Sequence, residues 1–178
     1  MAAMKEVQIA SRRIHEGRVI NLRVDEVELS DGRRAVREVI EHPGAVVIAP
    51  ILDDRTVVMV RQYRYPTGKT LLELPAGSLS AGEPPDDCAQ RELAEETGYR
   101  AGRMERLGQF YSAPGFCSEL LVAYLAMDLS PHAAQGDEDE VIEVERVDLN
   151  GLIEHIRKGE IEDAKSIACL WLALERLR

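Results

Sequence analysis

Two short apolar runs separated by a turn constrain the fold of this sequence more than any other feature. The runs are AVVIAP at 45–50 and TVVMVRQY at 56–63, and LDDR lies between them. Apolar runs of this length next to turn residues are typical of buried strands. The preceding segments, 19–29 and 34–42, instead alternate apolar and polar residues around the Asp-Gly turn of SDGR, which predicts a half-buried hairpin.

The rest of the sequence predicts further strands and three helices. GEPPDDCAQRELAEETG, residues 82–98, has prolines and aspartates where a helix begins and a glycine where it ends. Two more helices close the chain, and we expect the apolar stripe of the second to pack on the sheet. That stripe consists of Ile167, Leu170, Trp171, Leu174 and Leu177. Further strands are predicted at 71–74, 104–111, 120–127 and around 141–147.

This order of elements predicts an α+β fold in which helices cover a mixed β-sheet, an α/β/α sandwich with an additional N-terminal β-hairpin. The length of 178 residues allows one domain with a sizeable core. We expect an N-terminal β segment at 1–42 and the main domain at 43–178.

Composition and charge exclude several classes of function. Hydrophobic residues make up 45% and charged residues 30%, and no uncharged apolar run is long enough to cross a membrane. The net charge of -10 repels a polyanion, which argues against nucleic-acid binding. The N-terminus lacks the apolar core of a signal peptide, and Cys88, Cys117 and Cys169 form no CxxC pair. We therefore expect a reducing, cytoplasmic setting.

Three glutamates crowd one face of the helix that ends before Gly98. Glu92, Glu95 and Glu96 fall within an arc of about 100°, since each residue turns a helix by roughly 100°. An exposed pair of like charges costs roughly 0.2–0.5 kcal/mol, so a solvated charged face is one interpretation. The other is a site for a hard cation such as Mg²⁺, which prefers carboxylate, carbonyl and water oxygens. Arg91 lies four residues before Glu95 and can hold its carboxylate in an ion pair.

The same segment resembles a complete Nudix box, the signature of hydrolases that cleave a nucleoside diphosphate linked to another moiety. The matching positions are Gly77, Glu83, Arg91, Glu92, Leu93, Glu95, Glu96 and Gly98. Tyr99 departs from the pattern, because an apolar residue is usual there. Glu83 also fits another interpretation, an acid that interacts with the helix dipole.

The resemblance implies a Nudix fold and a set of site residues. Glu92 and Glu96 are expected to be the principal Mg²⁺ ligands, with the carbonyl of Ala76 as a further ligand and with Mn²⁺ or Zn²⁺ as possible substitutes. Glu95 is expected to ligate the metal ion or to support its site, and Arg91 is expected to orient Glu95. Cations held in this way neutralise the diphosphate and lower the pKa of a bound water that attacks phosphorus.

Segments on both sides of the box resemble the ADP-ribose pyrophosphatase branch of the family. They are VRQYRYPTGKTLLELPAG before it and SAPGFCSE, residues 112–119, after it. A proline of that branch lies about sixteen residues beyond the last glycine of the box, which matches Pro114, although an ordinary turn is the alternative. A mobile loop of that branch carries a glutamate. The resemblance implies that Glu138 is the general base and that Glu140 is a metal ligand. The alternative is that residues 137–140 are an ordinary solvated acidic loop.

The same resemblance assigns substrate-binding positions to Arg37, Arg64, Pro114 and Glu119. Arginine suits phosphate oxygens, and an ordinary surface arginine is the alternative at both positions. The N-terminal hairpin resembles a segment that this branch exchanges between two subunits. The resemblance therefore implies a homodimer that hydrolyses ADP-ribose to AMP and ribose 5-phosphate. Aromatic residues make up only 4%, and the sequence identifies no adenine-stacking partner.

Other functions also fit parts of this sequence. A Nudix pyrophosphatase for another nucleoside diphosphate sugar, such as GDP-mannose, or for a dinucleotide coenzyme stays open. So does a non-catalytic ADP-ribose-binding module, although such modules commonly lack an intact box. TGKT at 67–70 is no P-loop, because Tyr63 stands where its first glycine belongs and a strand follows. Cys88 and Cys117 have no recognisable histidine partner, so we expect them to pack.

Overall fold

The computed structural model describes residues 5–53, 55–134 and 141–178. The strands are β1 (Val7–Glu16), β2 (Asn21–Glu28), β3 (Arg34–Glu41), β4 (Ala45–Pro50), β5 (Thr56–Arg64), β6 (Lys69–Glu73), β7 (Ala76–Ser78), β8 (Tyr99–Tyr111), β9 (Leu120–Pro131) and β10 (Ile142–Asp148). The helices are α1 (Pro85–Thr97), α2 (Leu152–Arg157) and α3 (Ala164–Arg176).

One compact unit contains the described residues up to Gly44 together with Tyr111–Leu120. Its sheet has the antiparallel order β1-β2-β3. The predicted hairpin is β2–β3, and Gly32 at its turn has a φ of +83°, a backbone conformation that favours glycine. The sequence did not predict β1, all of whose residues are exposed.

The second unit contains Ala45–Phe110 and Leu121–Arg178. It has one sheet in the order β7-β4-β9-β8 and another in the order β10-β5-β6. The first sheet is mixed, because β4 runs parallel to β9 and antiparallel to β7.

Strand β4 is buried on both faces, and this explains its uninterrupted apolar sequence. Val46 and Ile48 pack in one core cluster with the residues of α1. Val47 and Ala49 point to the opposite face and pack in a second cluster with residues of α2 and α3. Because helices cover both faces of this mixed sheet, the predicted α/β/α sandwich is confirmed.

The structure also differs from the predicted elements elsewhere, and strand β8 begins at Tyr99 and not at 104. Residues 76–78 form β7 where a loop was expected, and residues 128–131, also expected to be a loop, extend β9. The prediction that Trp171 belongs to the buried apolar stripe of α3 was wrong, because its exposed fraction is 57%. The residues of α3 that are buried instead follow helical spacing, and they are Ser166, Cys169, Leu170 and Ala173.

Within the part of the chain that the structure describes, no helix is both long enough and apolar enough to span a membrane.

Candidate active site

Helix α1 divides its residues between the core and the site. It begins at Pro85, where a proline needs no backbone hydrogen bond, and it ends at Thr97. The next residue, Gly98, is the C-cap: it has a φ of +71°, and its N–H donates to the carbonyl of Ala94. The face toward the sheet is buried and consists of Cys88, Ala89, Leu93, Ala94 and Thr97. The remaining face carries Arg91 and the glutamates.

The guanidinium of Arg91 lies at the centre of a cluster of carboxylates. Its Nη1 donates to Glu92 Oε1 at 2.7 Å and to Glu95 Oε2 at 3.0 Å. Its Nε and Nη2 donate to the two carboxylate oxygens of Glu83 at 2.8 and 2.9 Å. The expected ion pair between Arg91 and Glu95 is therefore present, and Glu83 belongs to the same cluster. Glu83 also accepts the N–H of Ser80 at 3.0 Å.

Charge and burial in this cluster exclude the solvated-face interpretation for Glu92. The side chain of Glu92 is 12% exposed and that of Glu95 is 28% exposed. The hydrogen bonds from Arg91 lower the pKa of Glu83 to about 2, despite the opposing effect of burial. The same bonds, first to Glu83 and then to Glu92 and Glu95, raise the pKa of Arg91 above its usual range. Glu83 and Arg91 are therefore charged at neutral pH.

Two further carboxylate contacts join α1 to β7. The N–H of Ala76 donates to Glu96 Oε2 at 3.1 Å. The carboxylate of Glu92 lies against Gly77, where an added Cβ would come within 2.0 Å of its Cδ and Oε1. Glycine at position 77 therefore leaves the space that Glu92 occupies.

The donors around Ala76 and Gly77 fit a hard divalent cation, because Glu92, Glu96 and the carbonyl of Ala76 all offer oxygen. Among the described residues, however, no group of three or more His, Cys, Asp or Glu side chains is already arranged to hold a metal ion. The carboxylates are not arranged around a metal position because the guanidinium of Arg91 already binds three of them, those of Glu83, Glu92 and Glu95.

Arg64 lies in the same unit but points to a buried acid. Its Nε and Nη2 donate to the carboxylate of Glu73 at 3.0 and 2.9 Å. The side chain of Glu73 is only 2% exposed. Lys165 donates to the same carboxylate. Sequence analysis did not identify Glu73 or Lys165. The available signal was a single charged residue within the apolar segment LLEL.

The other predicted substrate-binding residues lie in the first unit. Arg37 donates to both carboxylate oxygens of Glu6, at 2.9 and 2.6 Å. Pro114 lies in a turn in which the carbonyl of Ala113 accepts the N–H of Phe116 at 3.1 Å. The Oε1 of Glu119 is 3.7 Å from the Nε2 of His42. Glu138 and Glu140 lie outside the described residues, so their roles stay predictions.

Cys88 packs in the core, as expected. It is fully buried, and burial raises the pKa of its thiol to about 12, which leaves no thiolate for nucleophilic attack at neutral pH. Cys169 is buried in the other cluster, and its pKa is likewise raised to about 12 by burial.

Family models match nearly the whole described chain. The NUDIX domain model matches residues 41–170, and the nucleoside diphosphate sugar hydrolase N-terminal domain model matches residues 6–40. The chain therefore belongs to the Nudix hydrolase family, whose members generally need a divalent metal ion.

Individual relatives agree with this membership. An ADP-ribose pyrophosphatase of Bacillus subtilis (strain 168) is 40% identical over 168 residues, which cover 93% of this chain and 91% of that protein. A methanol dehydrogenase activator of Bacillus methanolicus is 42% identical over 174 residues, which cover 96% of this chain and 94% of that protein. A GDP-mannose pyrophosphatase of Escherichia coli O139:H28 is 35% identical over 136 residues, which cover 71% of this chain and 71% of that protein.

A solved structure agrees with the fold as well. The crystal structure of an ADP compounds hydrolase aligns with a TM-score of 0.89 and 27% identity, and the alignment covers 99% of this chain and 96% of that one. The predicted Nudix fold is confirmed.

Proposed function

We propose that this protein hydrolyses the pyrophosphate bond of ADP-ribose to AMP and ribose 5-phosphate in the presence of Mg²⁺. The observation that carries the proposal is the convergence of Glu92 and Glu96 on Ala76 and Gly77, beside Arg91. Similarity over 93% of the chain to an ADP-ribose pyrophosphatase supports the choice of substrate.

Each residue of the cluster has a separate task in this proposal. Glu92, Glu96 and the carbonyl of Ala76 hold the cation. When bound, Mg²⁺ neutralises the diphosphate and lowers the pKa of a coordinated water. Arg91 orients the carboxylate of Glu95, which supports the site, through the 3.0 Å hydrogen bond.

The acidic segment at 137–140 supplies the remaining carboxylates. We assign Glu138 as the general base that takes the proton from the attacking water, and Glu140 as a further metal ligand. Replacing Glu138 with Gln is expected to lower kcat more than it raises KM, because a base acts in the chemical step. The opposite pattern would make Glu138 a substrate-binding residue.

Four residues contact the substrate in this proposal: Arg37, Arg64, Pro114 and Glu119. The two arginines suit phosphate oxygens because a guanidinium presents several N–H donors in a fixed plane. Each now donates to a carboxylate, Arg37 to Glu6 and Arg64 to Glu73. Substrate phosphate therefore has to share these guanidinium groups with the protein.

A substrate panel tests the proposal. The purified protein is assayed with Mg²⁺ on ADP-ribose, GDP-mannose, another nucleoside diphosphate sugar and a dinucleotide coenzyme, with AMP and ribose 5-phosphate measured directly. We expect the largest kcat/KM for ADP-ribose. A kcat/KM about tenfold larger for another compound, a difference of about 1.4 kcal/mol in transition-state binding, would contradict the choice of substrate.

Glu96→Gln is the matched inactive control for that assay. We expect activity to fall on the order of a hundredfold, because a neutral amide is a poor ligand for a hard cation. Thermal stability should change little, since the amide oxygen can still accept the N–H of Ala76. Unchanged activity would remove Glu96 from the ligand set.

GDP-mannose hydrolysis is the second candidate, favoured by the relative that is 35% identical over 136 residues. The glutamate cluster acts on the diphosphate, which both substrates share, so the same panel separates them. A non-catalytic ADP-ribose-binding module is the least favoured, because every charged position of the box is retained. Tight binding of ADP-ribose with no turnover in Mg²⁺ would support that module.

We also propose a cytoplasmic homodimer in which the N-terminal segment, residues 1–42, is exchanged between subunits. Several large apolar side chains of β1 and β3 are exposed, which supports a partner surface in this segment. Their exposed fractions are 55% for Val7, 44% for Ile9, 45% for Ile14 and 60% for Val36. Free thiols at Cys88, Cys117 and Cys169 support a reducing compartment.

A further inference from the structure

A network of charged side chains joins the beginning of α3 to the end of β6. The carboxylate of Glu73 accepts two hydrogen bonds from Arg64 and one from Lys165. Lys165 Nζ also donates to Asp163 Oδ2 at 2.8 Å. Strands β5 and β6 and helix α3 therefore meet at one buried acid.

Ser166 extends this network to the main chain. Its side chain is fully buried, and its hydroxyl donates to Asp163 Oδ2 at 2.5 Å. The same hydroxyl accepts the N–H of Leu74 at 2.7 Å, across 92 residues of sequence. Asp163 is the N-cap of α3 and also accepts the N–H of Ser166 at 3.0 Å. The beginning of α3 therefore holds the backbone of Leu74.

Leu74 leads directly into the residues that meet the glutamates of α1. The carbonyl of Pro75 accepts the N–H of Ile48 at 2.9 Å. Ala76 and Gly77 follow, and they contact Glu96 and Glu92. Only Pro75, whose ring fixes its φ, separates Leu74 from Ala76, so a displacement of Leu74 is transmitted to Ala76 over a short and restricted stretch of chain. A displacement of less than 1 Å at a metal ligand is enough to alter its geometry.

We propose that Asp163, Lys165 and Ser166, which we call the α3 brace, are positioning residues that hold Leu74 so that the Ala76 carbonyl and Gly77 are correctly placed against Glu92 and Glu96. The brace residues contact Leu74 and Glu73 and are not among the proposed ligands. The brace acts through the Ser166–Leu74 and Lys165–Glu73 hydrogen bonds.

The electrostatics of Glu73 agree with a rigid support. Burial alone would raise the pKa of this carboxyl, but hydrogen bonds and charges from Arg64 and Lys165 outweigh burial and lower the pKa. Glu73 is therefore ionised and bound from two sides at neutral pH. A buried ion pair of this kind is weak support for stability in itself, and conformational specificity is a known use of one.

The effect of the brace on turnover rests on the proposed function, whereas its effect on the Leu74 amide and on metal affinity does not. The test therefore begins with metal-free protein. Amide hydrogen exchange is measured by NMR at Leu74, Ala76 and Ile48, and binding of Mn²⁺ alone is then measured by titration. Steady-state kinetics on ADP-ribose with Mg²⁺ complete the comparison.

Three variants separate positioning from stability. Ser166→Ala removes the acceptor of the Leu74 N–H, and Ser166→Thr keeps a hydroxyl at that place. Asp148→Ala is the matched control, because Asp148 caps the short helix Leu149–Gly151 by accepting the N–H of Asn150 at 2.9 Å. It removes a helix cap away from the brace.

We expect Ser166→Ala to accelerate exchange at Leu74 by about tenfold or more, because a buried N–H loses its partner. The affinity for Mn²⁺ should fall by about tenfold to a hundredfold, the usual effect of removing a support behind a metal ligand. We expect kcat to fall by a similar factor, with KM changed by less than about twofold. Ser166→Thr should restore Leu74 exchange, Mn²⁺ affinity and kcat to the wild-type values. Asp148→Ala should leave these three quantities unchanged, although its loss of thermal stability is expected to be comparable to that of Ser166→Ala.

Equal Mn²⁺ affinity and equal kcat in Ser166→Ala and Asp148→Ala would overturn the brace. If Ser166→Ala fails to fold, Asp163→Asn is measured instead, because it keeps an acceptor for the helix cap and removes the charge shared with Lys165. Since Ser166 then keeps the hydroxyl that accepts the Leu74 N–H, we expect Mn²⁺ affinity and kcat to fall more than Leu74 protection, and values equal to those of Asp148→Ala would overturn the brace. If the wild-type protein does not hydrolyse ADP-ribose while Ser166→Ala loses Leu74 protection and Mn²⁺ affinity, the proposed substrate is wrong and the brace stands.

Discussion

At the scale of single residues, Arg91 explains how one helix face tolerates so many acids. Repulsion between Glu92 and Glu95, three positions apart, is offset because one guanidinium binds both carboxylates, and it binds Glu83 as well. The pairing also orients these partly buried carboxylates without a cation. A metal ion that binds Glu92 competes with Arg91 for the same carboxylate.

Gly77→Ala tests the close approach of Glu92. The new Cβ would lie 2.0 Å from the Glu92 carboxylate, so that flexible side chain has to move while the backbone can stay. We expect stability to change by less than about 1 kcal/mol. We expect Mn²⁺ affinity and kcat to fall by about tenfold or more, because a metal ligand is displaced.

Calorimetric titration with Mn²⁺ and steady-state kinetics measure these effects. Gly108→Ala is the control, since its Cβ would make an ordinary 3.7 Å contact with Leu172. If both variants bind Mn²⁺ equally well, Glu92 is not a ligand.

Glu83 predicts a specific response to acid. Its pKa in the folded protein is about 2, against 4.5 for an unperturbed glutamate. Because the folded pKa is the lower one, the Arg91 pair stabilises the protein above about pH 4.5 and that contribution is lost as the pH falls toward 2. We expect the free energy of unfolding of Glu83→Gln to depend less steeply on pH across this window than that of the wild type.

Urea unfolding at several pH values provides the measurement. Glu154→Gln, a substitution of an exposed glutamate of α2, is the control for the loss of one carboxylate. Identical slopes for wild type and Glu83→Gln would contradict the strength of the Arg91 pair.

At the scale of elements, α3 illustrates how packing selects a helix face. Leu170 is 1% exposed and Trp171 is 57% exposed, although the two are adjacent. We expect Leu170→Ala to lower the free energy of unfolding by about 2–5 kcal/mol, because it leaves a cavity in the core. Trp171→Ala should cost about 1 kcal/mol or less. Urea denaturation with an unchanged m-value compares them, and equal losses would show that Trp171 also packs in the core.

At the scale of the whole molecule, the proposed exchange of the N-terminal segment predicts a dimer that depends on β1. We expect the double substitution Ile9→Lys and Ile14→Lys to raise the dimer dissociation constant by about tenfold or more, because it places charge in an apolar interface. Sedimentation equilibrium measures the constant. Val144→Lys is the control, since Val144 is 48% exposed on β10. A monomeric wild-type protein would contradict the exchange.

Local features were predictable from the sequence. The limits of α1, the β2–β3 hairpin and strands β4 and β5 depend on prolines, glycines and apolar periodicity within a few residues, and all were predicted. The Arg91–Glu95 pair was predicted for the same reason, because residues four apart are neighbours on a helix. The Nudix box was also readable, since its spacing lies within one continuous segment.

Contacts between distant segments were decided only by the tertiary structure. The sequence contains no local sign that Glu92 lies against Gly77, that Trp171 is exposed, or that Ser166 holds Leu74. Strand β1 was missed because its exposed residues lack the alternation that burial on one face imposes. Spacing along the chain specifies what neighbouring residues can form. Which side chain meets another across 92 residues depends instead on how sheets and helices pack, and only the folded chain decides that.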